Sequence, residues 1–179
     1  MGGVMKKSTA FVLVLLLPMG VQARTVDAVG FSGGGGAYGH SRHTASLSVL
    51  AQTAPWWQSR LQGGSDLMLL GEGRLSWNAR GSDTLWSFSA SPLLRWQFPQ
   101  AIGVLSPYVQ AGIGAAWFNG THLQDTDLGS RGQFVDQLGV GLAGKRWDLA
   151  LRALHYSNAD LKKPNNGLDL LELSVLYRY

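Results

Sequence analysis

His155 and Ser157 stand two residues apart, and Asp169 opens the next patterned segment. Side chains alternate between the faces of an extended strand, so His155 and Ser157 leave it on one side, their Cα atoms roughly 6.5–7 Å apart. At that spacing the imidazole can approach the hydroxyl. If the hairpin turns around Lys163, Asp169 falls across from Ser157 and diagonal to His155, on the same face. A hydroxyl, a base beside it and a carboxylate that orients the base are the parts of nucleophilic acyl transfer. His155 takes the proton from Ser157, and Asp169 holds the imidazole tautomer. Asn158 and Asn165 flank the set and carry amide groups that can donate to a developing oxyanion. Glu172 has the opposite parity and is assigned to the other face.

The strand that must carry this set is apolar on the same side. Trp147, Leu149, Leu151 and Ala153 precede His155 there, while Asp148, Arg152 and Tyr156 face the other way. Period-2 alternation of this kind recurs along the chain. In residues 84–98, Trp86, Phe88, Leu94, Trp96 and Phe98 oppose Ser87, Ser89, Ser91, Arg95 and Gln97. Residues 26–32, 43–50, 67–77, 107–117, 134–142 and 168–179 continue the series, which predicts eight strands. Turn formers fill the breaks at 33–36, 54–55, 79–83, 99–103, 119–132, 144–146 and 158–167. Pro92 predicts a bulge or bend.

Charges such as Glu72, Arg74, Arg95, Asp148, Arg152 and Glu172 lie regularly opposite the aliphatic face. A soluble sandwich buries that second face differently, whereas a membrane barrel has a polar interior and a greasy outside. Lipid offers no partner for a free strand edge, so eight strands must close. A barrel of that size is filled by side chains and is no pore. The expected fold is therefore all-β: an eight-stranded antiparallel transmembrane barrel of the outer membrane. Its last strand carries Leu171, Leu173, Val175, Tyr177 and Tyr179 on one face. That run resembles the terminal signal by which such barrels are recognised for assembly. With periplasmic termini, the breaks at 119–132 and 158–167 face the cell surface, and the catalytic set lies on the lipid-facing wall near the outward end. A polar group on that wall is costly unless it is paired or near the interface.

The chain opens with a segment of another kind. Lys6 and Lys7, the apolar residues 11–17 and the small-residue site Val21-Gln22-Ala23 make the pattern of a secretory signal peptide. Cleavage after Ala23 divides the chain into a leader, residues 1–23, and one barrel domain, residues 24–179. No apolar run reaches the ~20 residues that a spanning helix requires. The chain has no cysteine, which excludes a disulfide scaffold, thiolate metal sites and a cysteine nucleophile. The formal charge of +4 falls to about +2 without the leader's two lysines, and no basic cluster points to nucleic acid. With 24 glycines, seven tryptophans and 15% charged residues, the composition suits short strands at a membrane boundary.

Other motifs carry less. His40 and His43 point to opposite faces if they lie on a strand, which disfavours a metal site. The run from Gly33 to Gly36 lacks the Lys and Ser/Thr of a phosphate loop and reads as a flexible turn. Lys162 and Lys163 either meet lipopolysaccharide phosphates or belong to a solvated loop.

The string His155-Tyr156-Ser157-Asn158-Ala159-Asp160-Leu161-Lys162-Lys163-Pro164-Asn165-Asn166-Gly167 resembles the signature of the lipid A 3-O-deacylases, the PagL family. Weaker similarity extends over the mature chain, including residues 107–114. The resemblance implies an outer-membrane esterase that hydrolyses the ester at position 3 of lipid A in lipopolysaccharide and releases a 3-hydroxy fatty acid, with no metal or organic cofactor. It makes His155 the base, Ser157 the nucleophile and Asn165 an oxyanion donor. Asp169 stands where the family pattern has glutamate, so its carboxylate reaches with one methylene less. Asp160 stands where the pattern has glycine. Two alternatives share the alternation: a non-catalytic barrel acting in adhesion or envelope integrity through its surface loops, and another lipid-acting barrel such as a phospholipase or acyltransferase.

Overall fold

Each alternating segment finds hydrogen-bonding neighbours on both edges, and the row of strands closes on itself. The structure is a computed structural model and describes residues 26–179. The leader read in residues 1–23 lies outside the described residues. The strands are β1 (Val26–Gly36), β2 (Ala45–Thr53), β3 (Trp57–Arg60), β4 (Asp66–Arg80), β5 (Asp83–Gln97), β6 (Ser106–Phe118), β7 (His122–Leu123), β8 (Thr126–Asp127), β9 (Gly132–Ala143), β10 (Trp147–Ser157) and β11 (Leu168–Arg178). The wall runs β1, β2, β4, β5, β6, β9, β10, β11 and returns to β1, every pair antiparallel. Short β3 prolongs β2 along the same edge of β4, so the wall has eight strands. The remaining pair, β7 and β8, is a small hairpin in the longest connection.

Four local expectations are corrected. The glycine run is no turn: β1 continues to Gly36, and Gly34 pairs with both Ser46 and Glu172. Glycine keeps its backbone donor and acceptor, and here the missing Cβ matters, because one at Gly34 would overlap the Leu171 carbonyl oxygen. The break at residues 54–55 interrupts a strand without ending it, the Trp56 amide bonding to the Leu69 carbonyl at 2.7 Å, and the chain reverses instead at Gln62–Gly64. Pro92 makes no bulge. The β5–β6 ladder skips residues 91–92 and resumes in the same register, since a missing donor removes a rung without shifting a strand. His40 and His43 lie in the loop between β1 and β2, not on a strand.

The middle of the interior is packed with polar side chains whose charges are paired. Arg152 holds Glu72 through two 2.8 Å bonds and Gln137 through a third at 2.6 Å. Glu172 pairs with Arg74 and accepts from Ser32 at 2.6 Å and Ser46 at 2.7 Å. Arg95 bonds Asp148 at 2.8 Å and stacks on the Tyr108 ring. Across the lumen these contacts tie β10 to β4 and β5 and β11 to β4, and others join them to the nearby strands β9, β1 and β2. The outer surface is apolar and carries two aromatic belts. Trp77, Trp86, Phe88, Trp117 and Phe134 lie toward the β4–β5 turn end of the wall, and Trp57, Trp96, Trp147, Tyr177 and Tyr179 toward the end with the chain termini. Such girdles mark the two membrane–water interfaces.

Candidate active site

Strand alternation puts the chemical side chains outside while their neighbours anchor the strands inside. Leu154 and Tyr156 flank His155, and Leu168 and Leu170 flank Asp169. All four are buried in one apolar cluster with Phe118, Leu123 and Leu128. The Tyr156 ring meets Phe118 edge-on, centroids 5.3 Å apart. Each catalytic candidate therefore projects from a strand whose adjacent residues are locked in the core.

His155 pairs directly with Asp169 across β10 and β11. This corrects the expected register by two residues: the β10–β11 ladder is centred on Lys162, not on Lys163. A two-residue slip leaves every side chain on its predicted face. The shift improves the geometry: Asp169 Oδ1 lies 2.6 Å from His155 Nδ1, a charge-assisted distance. The imidazole is half-exposed and the carboxylate largely covered. Backbone contacts fix Asp169 further, its amide donating to the buried Ser41 hydroxyl at 2.7 Å and its carbonyl accepting from Ala37 at 3.0 Å.

Ser157 lies on the same face as His155 and pairs with Phe134 of the aromatic belt. Among the described residues its hydroxyl takes no hydrogen-bond partner. It therefore stands two residues along β10 from His155 without a hydrogen bond to the ring. Gly167, at φ 70°, passes close over the ring: a Cβ there would sit 3.2 Å from His155 Cε1.

The two asparagines divide the supporting work. Both Asn158 side-chain protons are committed, to the Leu128 and Lys162 carbonyls at 2.9 Å each. Asn158 is thus a loop anchor, and its side chain is not free to donate to an oxyanion. Asn165 accepts from the Asn158 amide at 3.1 Å and donates to Asp160 Oδ1 at 3.3 Å, leaving one amide proton available. Asp160 adopts φ 62°, a left-handed conformation natural for glycine and tolerated by aspartate. Its carboxylate also meets Lys163 at 2.8 Å. These hydrogen bonds and the ammonium hold it below the usual carboxylate range.

The long connection is folded inward as part of this support. Hairpin β7–β8 buries Leu123 and Leu128 in the core cluster, and the Asp127 carbonyl accepts from the Asn166 amide at 3.0 Å. Periodicity missed this hairpin because its strands have two residues each. It also passed over Asp136, whose side chain lies outside between Phe134 and Leu138, and which pairs across β9 and β10 with His155. A carboxylate on an otherwise apolar face was the available signal.

The model of the family described as lipid A 3-O-deacylase (PagL) matches residues 43–178. The chain belongs to the lipid A 3-O-deacylase (PagL) family. It is 34% identical over 148 residues to a lipid A deacylase PagL of Bordetella bronchiseptica, covering 79% of this chain and 80% of the relative. It is 32% identical over 172 residues to a lipid A deacylase PagL of Pseudomonas aeruginosa, covering 89% and 92%. The crystal structure of the outer membrane enzyme PagL superposes with a TM-score of 0.75 at 27% identity, covering 86% of this chain and 99% of that one. This PagL-family chain is thus an outer-membrane β-barrel ester hydrolase.

Proposed function

We propose that the protein hydrolyses the ester-linked acyl chain at position 3 of lipid A with Ser157 as nucleophile, His155 as base and Asp169 as orienting acid. The observation that carries this reading is the 2.6 Å His155–Asp169 contact on the outer wall, one strand step from Ser157 at the level of an aromatic belt. That depth is where the ester bonds of a membrane lipid lie, between polar head and acyl tail. Family membership supports the substrate, since the relatives are named for lipid A deacylation.

Asp169 accepts from Nδ1–H, which leaves Nε2 as the basic nitrogen facing Ser157. As Ser157 Oγ bonds to the acyl carbon, its proton moves to Nε2. The carbonyl oxygen becomes an oxyanion, to which Asn165 donates its remaining amide proton. Collapse breaks the ester C–O bond, and His155 returns the proton to the departing sugar oxygen. Water, deprotonated by the same nitrogen, then releases the 3-hydroxy fatty acid and restores Ser157. No other side chain is needed for proton balance. The inward fold of the 119–131 connection argues against a free adhesive arm. The leader, residues 1–23, is proposed to be removed on export, leaving residues 24–179 as the mature barrel; N-terminal sequencing of the membrane form checks this.

Mass spectrometry of lipid A from cells expressing wild type, Ser157→Ala or an empty vector tests the proposal. Loss of one 3-hydroxyacyl group with wild type alone is expected. Unchanged lipid A in the presence of a folded, heat-modifiable wild-type barrel would refute it.

A further inference from the structure

Strand β1 ends at Gly36, opposite Leu170, so Asp169 lies one residue past the last paired rung of that edge. Ala37 still donates to the Asp169 carbonyl at 3.0 Å. A continuing strand would return the bond from its own backbone carbonyl. Here a side chain takes that place: the Asp169 N–H donates to Ser41 Oγ at 2.7 Å. Both backbone groups of Asp169 therefore face β1, which makes its pairing with His155 the non-hydrogen-bonded kind, where opposed side chains stand closest. An aspartate side chain is short, so the hold on its backbone decides whether Oδ1 meets Nδ1 at 2.6 Å.

The serine that supplies this acceptor is itself fixed. Ser41 is buried, while its neighbours His40 and Arg42 are exposed. It closes the single turn Gly39–Ser41, and its carbonyl accepts from the Thr44 amide at 3.1 Å. One residue back, the His40 carbonyl accepts from Arg80 and from the Thr126 hydroxyl at 2.6 Å each, which ties the turn to β4 and to the β7–β8 hairpin. Gly36 packs against it so closely that a Cβ there would overlap the Ser41 carbonyl oxygen. The hydroxyl thus has a held position, and it points at the backbone of the orienting acid.

We infer that Ser41 is a positioning residue: its hydroxyl accepts the Asp169 amide and so fixes the carboxylate that orients His155. The inference rests on the Ser157–His155–Asp169 reading above. Without that acceptor the Asp169 backbone is free to turn toward another partner, and the carboxylate moves with it. Misplacing a catalytic group by about 1 Å costs up to about 10²-fold in rate.

Lipid A turnover by the full barrel in mixed micelles tests this, with heat modifiability confirming that each variant folds. Ser41→Ala is expected to lower kcat by roughly 10–10²-fold with KM nearly unchanged. Ser41→Cys fills the same space but accepts only weakly, and should be impaired like Ser41→Ala. Ser41→Thr keeps the hydroxyl and should recover most of the loss. Because Ser41 acts through the carboxylate, adding Ser41→Ala to Asp169→Asn should cost less than about twofold more. A folded Ser41→Ala barrel with wild-type kcat overturns the inference alone. So does a Ser41→Cys barrel as active as Ser41→Thr, a comparison that decides even if Ser41→Ala yields no heat-modifiable barrel, and so does a double variant in which the two losses multiply. A Ser157→Ala enzyme as active as wild type overturns the catalytic reading and this one with it.

Discussion

A histidine between two strands can be held by either neighbour, and here the one that holds it is a short carboxylate directly opposite. Oδ1 of Asp169 already reaches Nδ1 at 2.6 Å, so the missing methylene is compensated by register. Asp169→Glu is expected to stay within about tenfold of wild-type turnover, because the longer chain can fold back. Asp169→Asn can present its amide N–H to Nδ1, which favours the wrong imidazole tautomer, and should lose about 10³–10⁴-fold in kcat. Ester turnover by the purified variants decides between these expectations. Asp160 answers a different question, because its ammonium and amide partners hold its carboxyl below the ordinary value of 3.8. A folded-state value below the unfolded one means that its contribution to loop order is complete above the unfolded value. That contribution disappears only as pH falls through the lower folded value. Amide exchange of residues 158–167, corrected for intrinsic rates, is therefore expected to be flat from neutral to mildly acidic pH and to rise only in strong acid. A rise beginning near neutral pH would contradict the Asp160–Asn165–Lys163 arrangement.

Two connections, rather than one strand end, shape the rim beside the proposed catalytic set. The 158–167 segment is pinned by Asn158 to Leu128 and by Asn166 to Asp127, so hairpin β7–β8 serves as its abutment. Gly129, at φ 72°, lies where a Cβ would come within 2.0 Å of the Pro164 carbonyl. Gly129→Val should therefore displace the 158–167 connection and reduce turnover by roughly 10²-fold, as misplacements of about 1 Å do, while the heat-modifiable barrel persists. Equal activity in Gly129→Val and wild type would show that the two loops are uncoupled. This abutment also marks what a sequence conceals. Alternation is a local property, so the strand faces, the outward set His155, Ser157 and Asp169, and the inward Glu172 were all legible from residue order. Register depends on how a ten-residue connection folds, and no short turn motif declared it. The loop role of Asn158 depends on a carbonyl from a distant hairpin. Asp136 was hidden for the opposite reason, being a single exception within a regular apolar face.

At the scale of the whole barrel, the charged lumen fixes the strands that present the site. Arg152 lies on β10 between the two ends and holds Glu72 in a forked pair. Removing Arg152 leaves Glu72 buried with the Gln52 amide at 2.8 Å and the more distant Arg74 guanidinium at 3.9 Å as its remaining partners. Arg152→Leu should cost about 3–5 kcal/mol of folding stability, seen as a lower urea midpoint for the heat-modifiable form. Exchanging Arg152 and Glu72 for apolar residues together should cost less, and a double variant as unstable as the single one would argue against the pair. The filled lumen has a further consequence for kinetics. With the interior occupied by packed side chains and the proposed catalytic set on the outer wall, the proposal has substrate arrive by lateral diffusion within the membrane plane. Turnover then follows the mole fraction of substrate in the surrounding lipid or detergent rather than its bulk molarity. Diluting a fixed amount of substrate with inert detergent should slow the enzyme, while diluting the whole suspension with buffer should not.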